Sequence, residues 1–283
     1  MTTENPAEIN RDELPFVAPC KKLSPWAPFR WVRAGVSDLL QAPQQSLIYG
    51  LSVAILIGAV CLLAWMHGSQ WFMFAMLGGF VFLAPLTCIG LYAISAQLER
   101  GQAPLMIRSI RAAFRRHFGN EMIFALVLLV IFLVWARAAV MVSVFFPTEG
   151  DITTAQLITF FSFGTSIGAV FAAVTFSASA FSLPMIMHRD IDSITAIVTS
   201  VNAVLRNKRA MLVWLTIIVI SLLIGVATAF IGLIVIVPVI RYAAWHGYLE
   251  TINADAFPRH QEGITSTPRP DAVTQEDANS SAQ

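Results

Sequence analysis

Two histidines, two arginines and a tyrosine stand in or beside apolar stretches of this chain, and they have the most chemistry to offer. His188 and His246 lie near the ends of two such stretches. Imidazoles at similar depth on neighbouring helices can ligate a haem iron. The ordinary alternative is a histidine that closes a helix end. Arg137 and Arg241 lie within apolar stretches, and Arg241 is followed by Tyr242. A guanidinium in hydrocarbon is costly, so such a residue marks a solute or ion contact, a structural pair, or a side chain reaching back to an interface. For Arg137, Glu149 and Asp151 in the following loop offer a partner. No acid stands in the middle of an apolar stretch, which argues against a proton-relay pump.

A different kind of chemistry attaches to Arg108, Arg111, Arg115 and Arg116. They form a basic cluster, read as a determinant of membrane orientation or as a docking site for anionic lipid or a protein partner. Nucleophile elbows, Walker loops and HExxH zinc motifs are missing from the sequence. Cys20, Cys61 and Cys88 follow neither a disulfide nor a zinc-ligand spacing. The residues therefore support no catalytic set, no metal and no cofactor. A formal net charge of +1 gives no reason to invoke nucleic acid.

The elements that must position these side chains are membrane helices. Hydrophobic residues make up 57% of the 283 and charged residues only 12%. The mean hydropathy is +0.69. Soluble domains carry about twice that charge, so lipid must cover part of the apolar surface. Apolar stretches predict six spans, roughly 47–66, 71–95, 122–146, 155–187, 210–230 and 233–248. The fourth is long enough to tilt or to break near Gly164 and Gly168. Gly232 is expected to turn the chain between the last two. Pro85, Pro184 and Pro238 fall in the second, fourth and sixth spans, where each would kink a helix.

Three amphipathic helices precede the odd-numbered spans. The first carries Phe29, Val32, Val36 and Leu39 on one face, with Arg30, Arg33, Ser37, Asp38 and Gln41 opposite. The second is the arginine-bearing stretch 105–120. The third carries Ile191, Ile194, Val198, Val201 and Leu205 at three–four spacing, with Asp192, Ser193, Thr199, Asn202 and Arg206 opposite. Surface helix, span, turn and proline-bearing span thus recur as three units, about 29–98, 103–188 and 191–250. The expected architecture is an all-α, polytopic membrane bundle over 29–252, with six transmembrane helices and three cytoplasmic interfacial helices. Residues 1–28 and 253–283 read as disordered tails.

Lysine and arginine precede spans one, three and five and are missing from the turns that follow them. That asymmetry predicts both termini in the cytoplasm, with the surface helices on anionic lipid of the cytoplasmic leaflet.

The segments FSLPMIMHRDIDSITAIVTSVNAVLRNKRAMLVW and IGLIVIVPVIRYAAWHGYLE, with the earlier LAPLTCIGLYAISAQLERG, resemble a bacterial family of integral membrane proteins defined as a domain of unknown function. The resemblance extends over about 29–252 and implies a bacterial inner-membrane location. Some members are labelled as similar to cytochrome c oxidase subunit I. This chain departs from that oxidase in its smaller number of spans and in lacking its clustered intramembrane histidines. The function expected is that of a non-enzymatic accessory, scaffold or lipid-organising membrane protein with a possible membrane-protein partner. A small-solute transporter or channel built around Arg137 and Arg241 is the alternative. A haem-binding subunit associated with a respiratory oxidase, using His188 and His246, is the second.

Overall fold

The computed structural model describes residues 15–67, 76, 78–79, 90–105, 118–144 and 153–258. Its named helices are α1 (Ala27–Gln41), α2 (Pro43–His67), α3 (Phe118–Val144), α4 (Thr154–Ser179), α5 (Ser182–His188), α6 (Ser193–Arg206), α7 (Lys208–Ala227) and α8 (Leu233–Thr251). A further helical segment occupies 90–99. An isolated antiparallel bridge joins Cys20 to Ile252, and no strand is formed among the described residues. The chain is therefore all-α.

Four helical stretches are long and apolar enough to cross a bilayer: Pro43–Leu63, Gly119–Val142, Thr154–His188 and Lys208–Ala227. They correspond to the expected first, third, fourth and fifth spans. Most of the second, with Pro85, lies outside the described residues, as does the basic stretch with Arg108, Arg111, Arg115 and Arg116. The sixth corresponds to α8, whose second half turns polar and aromatic from Arg241 onward.

Packing is concentrated at one end of the bundle. The starts of α2, α3 and α7, the ends of α4 and α8, and α1, α5, α6 and segment 90–97 supply its buried residues. Trp31 is the hub: its ring meets Trp214 edge-on at 5.6 Å and Phe181 at 6.1 Å. Such aromatic pairs add about 0.5–1.5 kcal/mol beyond the area they bury. Away from this end the helices open to their surroundings. Leu62, Trp65, Val134, Phe161, Phe163, Val170, Leu222 and Leu223 are exposed apolar side chains there. A surface of that kind is stable only in hydrocarbon.

Helix α8 is the central strut and packs chiefly on α1 and α2. Glycine makes both crossings possible. A Cβ on Gly35 would stand 2.5 Å from the Val239 carbonyl oxygen and 2.8 Å from the Ala243 nitrogen, and one on Gly50 would overlap the Ile234 carbonyl. Pro238, inside α8, has no N–H to give the carbonyl four residues earlier, which is that of Ile234. The freed carbonyl and the glycine of α2 therefore meet at one point. Small residues at such crossings are how membrane helices approach closely.

Several boundaries differ from those expected. Helix α4 runs without interruption through Gly164 and Gly168, and the break comes at Ala180–Phe181. Pro184 is the cause. Its ring excludes a helical bond to Ala180, so the Thr154–His188 stretch is interrupted there and Pro184 stands in the first turn of the short helix α5. Ser200 Oγ accepts from the Phe181 N–H at 3.1 Å, and Ser182 Oγ donates to the Ala178 carbonyl. The last hairpin turns on Ala229 and Phe230, both at positive φ (49° and 69°), while Gly232 is right-handed helical. Thr228 Oγ1 holds this turn by accepting from the Gly232 N–H and donating to the Ile224 carbonyl, both at 2.9 Å.

The expected tails begin further out than composition suggests. Ala18, Cys20, Ala254 and Phe257 are buried. Residues 18–23 form an extended strap across the packed end. The Lys21 N–H donates to the Thr251 carbonyl at 2.8 Å, and the Asn253 N–H to the Pro19 carbonyl at 2.9 Å. The prolines that exclude a helix here leave an extended chain free to pair.

Candidate functional site

The described polar side chains gather at the packed end, in groups that tie helices together. Asp38 was expected on the polar face of α1, yet it is buried. Its Oδ2 accepts from Ser95 Oγ and meets His246 Nε2 at 2.9 Å. One carboxylate thus joins α1, segment 90–99 and α8. The hydroxyl bonds the acid and not the imidazole, so this is not the relay of a serine nucleophile.

The second group surrounds His188. Its Nδ1 lies 2.9 Å from the Tyr248 hydroxyl, and its ring packs on Trp245 and Tyr248 at 5.5 and 5.6 Å. Trp245 Nε1 donates to Glu99 Oε2 at 3.2 Å. His188 and His246, the candidate interfacial histidines, are therefore engaged by different partners, Tyr248 and Asp38. Among the described residues no group of three or more His, Cys, Asp or Glu side chains is placed to hold a metal ion.

A third group closes the C-terminal segment. Arg189 donates to the Phe257 carbonyl at 2.7 Å and to Asp255 Oδ1 at 2.8 Å, and Asp190 N–H donates to the Pro258 carbonyl at 2.9 Å. Glu250 accepts from Trp31 Nε1 at 2.8 Å and pairs with Arg30. These bonds fix the C-terminal segment to the end of α5, and α1 to the end of α8.

Of the other candidates, Tyr242 is fully buried, with its hydroxyl 2.7 Å from Ser46 Oγ on α2. Arg241, beside it, is half-buried, and Arg137 is exposed on α3. The two arginines occupy opposite ends of the bundle, since Arg137 is 19 residues into α3, whose start is the packed end. The structure therefore does not gather Arg137, Arg241 and Tyr242 into one site. Glu149 and Asp151 lie outside the described residues.

Two features were not singled out from the sequence. Glu121 stands in the first turn of α3, is fully buried, and has no hydrogen-bond partner for either carboxylate oxygen. The sequence placed it just before a span, where an acid reads as solvated. The other feature is Asn207, the corner between α6 and α7. Its side chain does not cap α7. Instead Oδ1 accepts from the Leu23 N–H at 2.8 Å, and Nδ2 donates to the Lys21 carbonyl at 2.9 Å. Next to it, Ala18 N–H donates to Thr199 Oγ1 at 3.2 Å and Asn202 Nδ2 lies 3.6 Å from the Cys20 sulfur. Burial pushes the Cys20 thiol up from its ordinary range, against smaller opposing effects from Asn202 and Arg206.

These contacts decide the facing of α6. Ser193, Ala196, Thr199, Ser200 and Ala203 are buried, while Ile194 and Leu205 of the apolar stripe are exposed. The small residues turn inward, while the apolar stripe is exposed at Ile194 and Leu205, half-buried at Val198 and Val201, and buried only at Ile191 before the helix.

Residues 72–188 match a family described as predicted integral membrane protein (DUF2189). The resemblance to an integral membrane family of unknown function is therefore shown over that stretch, which includes α3, α4 and α5. No curated protein and no solved structure matches the chain.

Proposed function

We propose that this is a non-enzymatic accessory or scaffold protein of a bacterial inner membrane, with both termini in the cytoplasm and the packed end as its working part. The observation that carries the reading is where the polar side chains go. Asp38, Ser95, His246, His188, Arg189, Glu250 and Asn207 are spent on holding helices and terminal segments together. Such a frame presents a fixed surface, as a scaffold requires. Its described cations support the orientation. Lys21, Lys22, Arg30, Arg33, Arg100, Arg189, Arg206, Lys208, Arg209 and Arg241 all belong to this end, and Arg137 is the exception. The full chain in nanodiscs, assayed for co-purifying membrane proteins and for haem absorbance, tests the proposal. A recurrent partner is expected, and a stoichiometric haem spectrum would overturn it.

A small-solute transporter is the second reading, favoured by Glu121. A carboxylate at the end of a span with no bonded partner is a functional candidate by default. On that reading Glu121→Gln and Arg241→Ala each abolish solute flux in proteoliposomes. Unchanged flux in both removes it.

A further inference from the structure

At the packed end Arg30 is matched to Glu250 and Arg189 to Asp255. Five other cations, gathered at one corner, are not matched. Lys21, Lys22, Arg206, Lys208 and Arg209 are all exposed, and among the described residues none has an ion pair or a side-chain hydrogen bond. In sequence they belong to segments about 185 residues apart. Asn207 brings them together. Its amide holds the backbone of Lys21 and Leu23, while Arg206 and Lys208 are its own neighbours. The acids of the adjoining C-terminal segment, Glu250 and Asp255, are already occupied. Five like charges held at one corner repel one another, and an anionic ligand relieves that repulsion.

The same corner offers an apolar track. Leu205 precedes Arg206, and Leu205 and Ile194 share one face of α6, exposed by 57% and 58%. Val198 and Val201 lie between them on that face at helical spacing. Helix α6 is about 21 Å long at 1.5 Å per residue. A phosphate beside an acyl chain is what the pairing of charge and track fits, and a free phosphate would use only the first.

We propose that the corner at Asn207 is a binding site for one anionic phospholipid. Lys21, Lys22, Arg206, Lys208 and Arg209 receive its headgroup, and Ile194 and Leu205 receive an acyl chain. The assignment deepens the scaffold reading and rests on it for placing this end at a membrane surface.

The test is native mass spectrometry of the full chain, delipidated in neutral detergent and titrated with short-chain phosphatidylglycerol or phosphatidylcholine. The wild type is expected to bind one phosphatidylglycerol in preference to phosphatidylcholine. Lys21→Gln, Lys22→Gln, Lys208→Gln and Arg209→Gln in one chain should lower that preference by about tenfold or more, since each nearby base contributes about 1 kcal/mol. Leu205→Ser, an exposed position that leaves the fold intact, should weaken lipid binding without changing the response to inorganic phosphate. Replacing Arg108, Arg111, Arg115 and Arg116 by Gln is the equal-charge control and should retain the bound lipid. The proposal is overturned by equal binding of both lipids to the wild type, by an unchanged quadruple variant, by a loss as large in the control, or by displacement of the lipid with inorganic phosphate at equal concentration. Its failure is distinct from that of the scaffold reading, because partner capture from nanodiscs is read independently of lipid preference.

Discussion

The two ends of this bundle obey opposite rules. At the packed end, tryptophans interlock, glycines sit against carbonyls, and buried polar side chains other than Glu121 find partners. At the other end the same helices expose leucine, valine and phenylalanine, and a Cβ added to Gly164 or Gly168 of α4 meets nothing. The contrast locates the solvent. Protein surrounds a residue at one end, and hydrocarbon must surround it at the other. It also teaches that apolar character alone does not mark the core here. Exposed Leu222 and buried Trp214 belong to one helix.

The largest effect should come from matched glycines. Gly50→Leu drives a side chain into the Ile234 carbonyl and is expected to cost roughly 3 kcal/mol or more, or to prevent folding. Gly168→Leu enters open space and should lie within about 0.5 kcal/mol of the wild type. Thermal unfolding followed by size-exclusion chromatography in detergent checks both. Equal losses would break the division between the ends.

Next in size is Asp38→Ala, which leaves Ser95 and His246 without their shared acceptor. A cost of about 1–3 kcal/mol is expected in the same assay, whereas Thr159→Ala in the exposed part of α4 should be close to neutral. Glu121→Gln keeps the volume of a buried side chain that has no partner. It should change stability by about 1 kcal/mol at most, in the stabilising direction, because no charge remains to be buried. A large loss of stability would mean that Glu121 has a partner in the membrane.

The smallest effect is a difference in reactivity. Cys20 is buried under the strap and its thiol is shifted up, so little thiolate is present at neutral pH. Cys61 is exposed on α2 in the open end. With Cys88 replaced by Ser, a water-soluble maleimide should label Cys61 poorly in bilayers and faster in mild detergent, and Cys20 should resist in both until unfolding. Ready labelling of Cys61 by the water-soluble reagent would show that the open end is not in lipid.

Much of the fold was legible residue by residue. The uninterrupted apolar runs gave four spanning helices near their expected places, because nothing but hydrocarbon accommodates a run such as MIFALVLLVIFLVW. Pro184 and Pro238 were visible as points of strain. What each did was not, since one proline separated two helices and the other freed a carbonyl for Gly50. The candidate histidines were visible too, but their separate partners depend on how α1, α5 and α8 cross.

Helix α6 shows why the remainder was hidden. Its periodicity defined two faces and left open which would meet protein. In water the apolar face would turn inward. Here lipid can cover Ile194 and Leu205, so the small face of Ala196, Thr199, Ser200 and Ala203 packs inward, where close approach and hydroxyl-to-backbone bonds hold the helix. The strap, the buried Asp38 and the cation cluster at Asn207 are likewise tertiary outcomes. Composition and spacing determined that the chain lives in a membrane and where its charges lie along the chain. Only the folded structure decided which charges are matched and which are left together, because pairing depends on contacts between segments that stand far apart in the chain, such as Arg30 and Glu250, which no local pattern encodes.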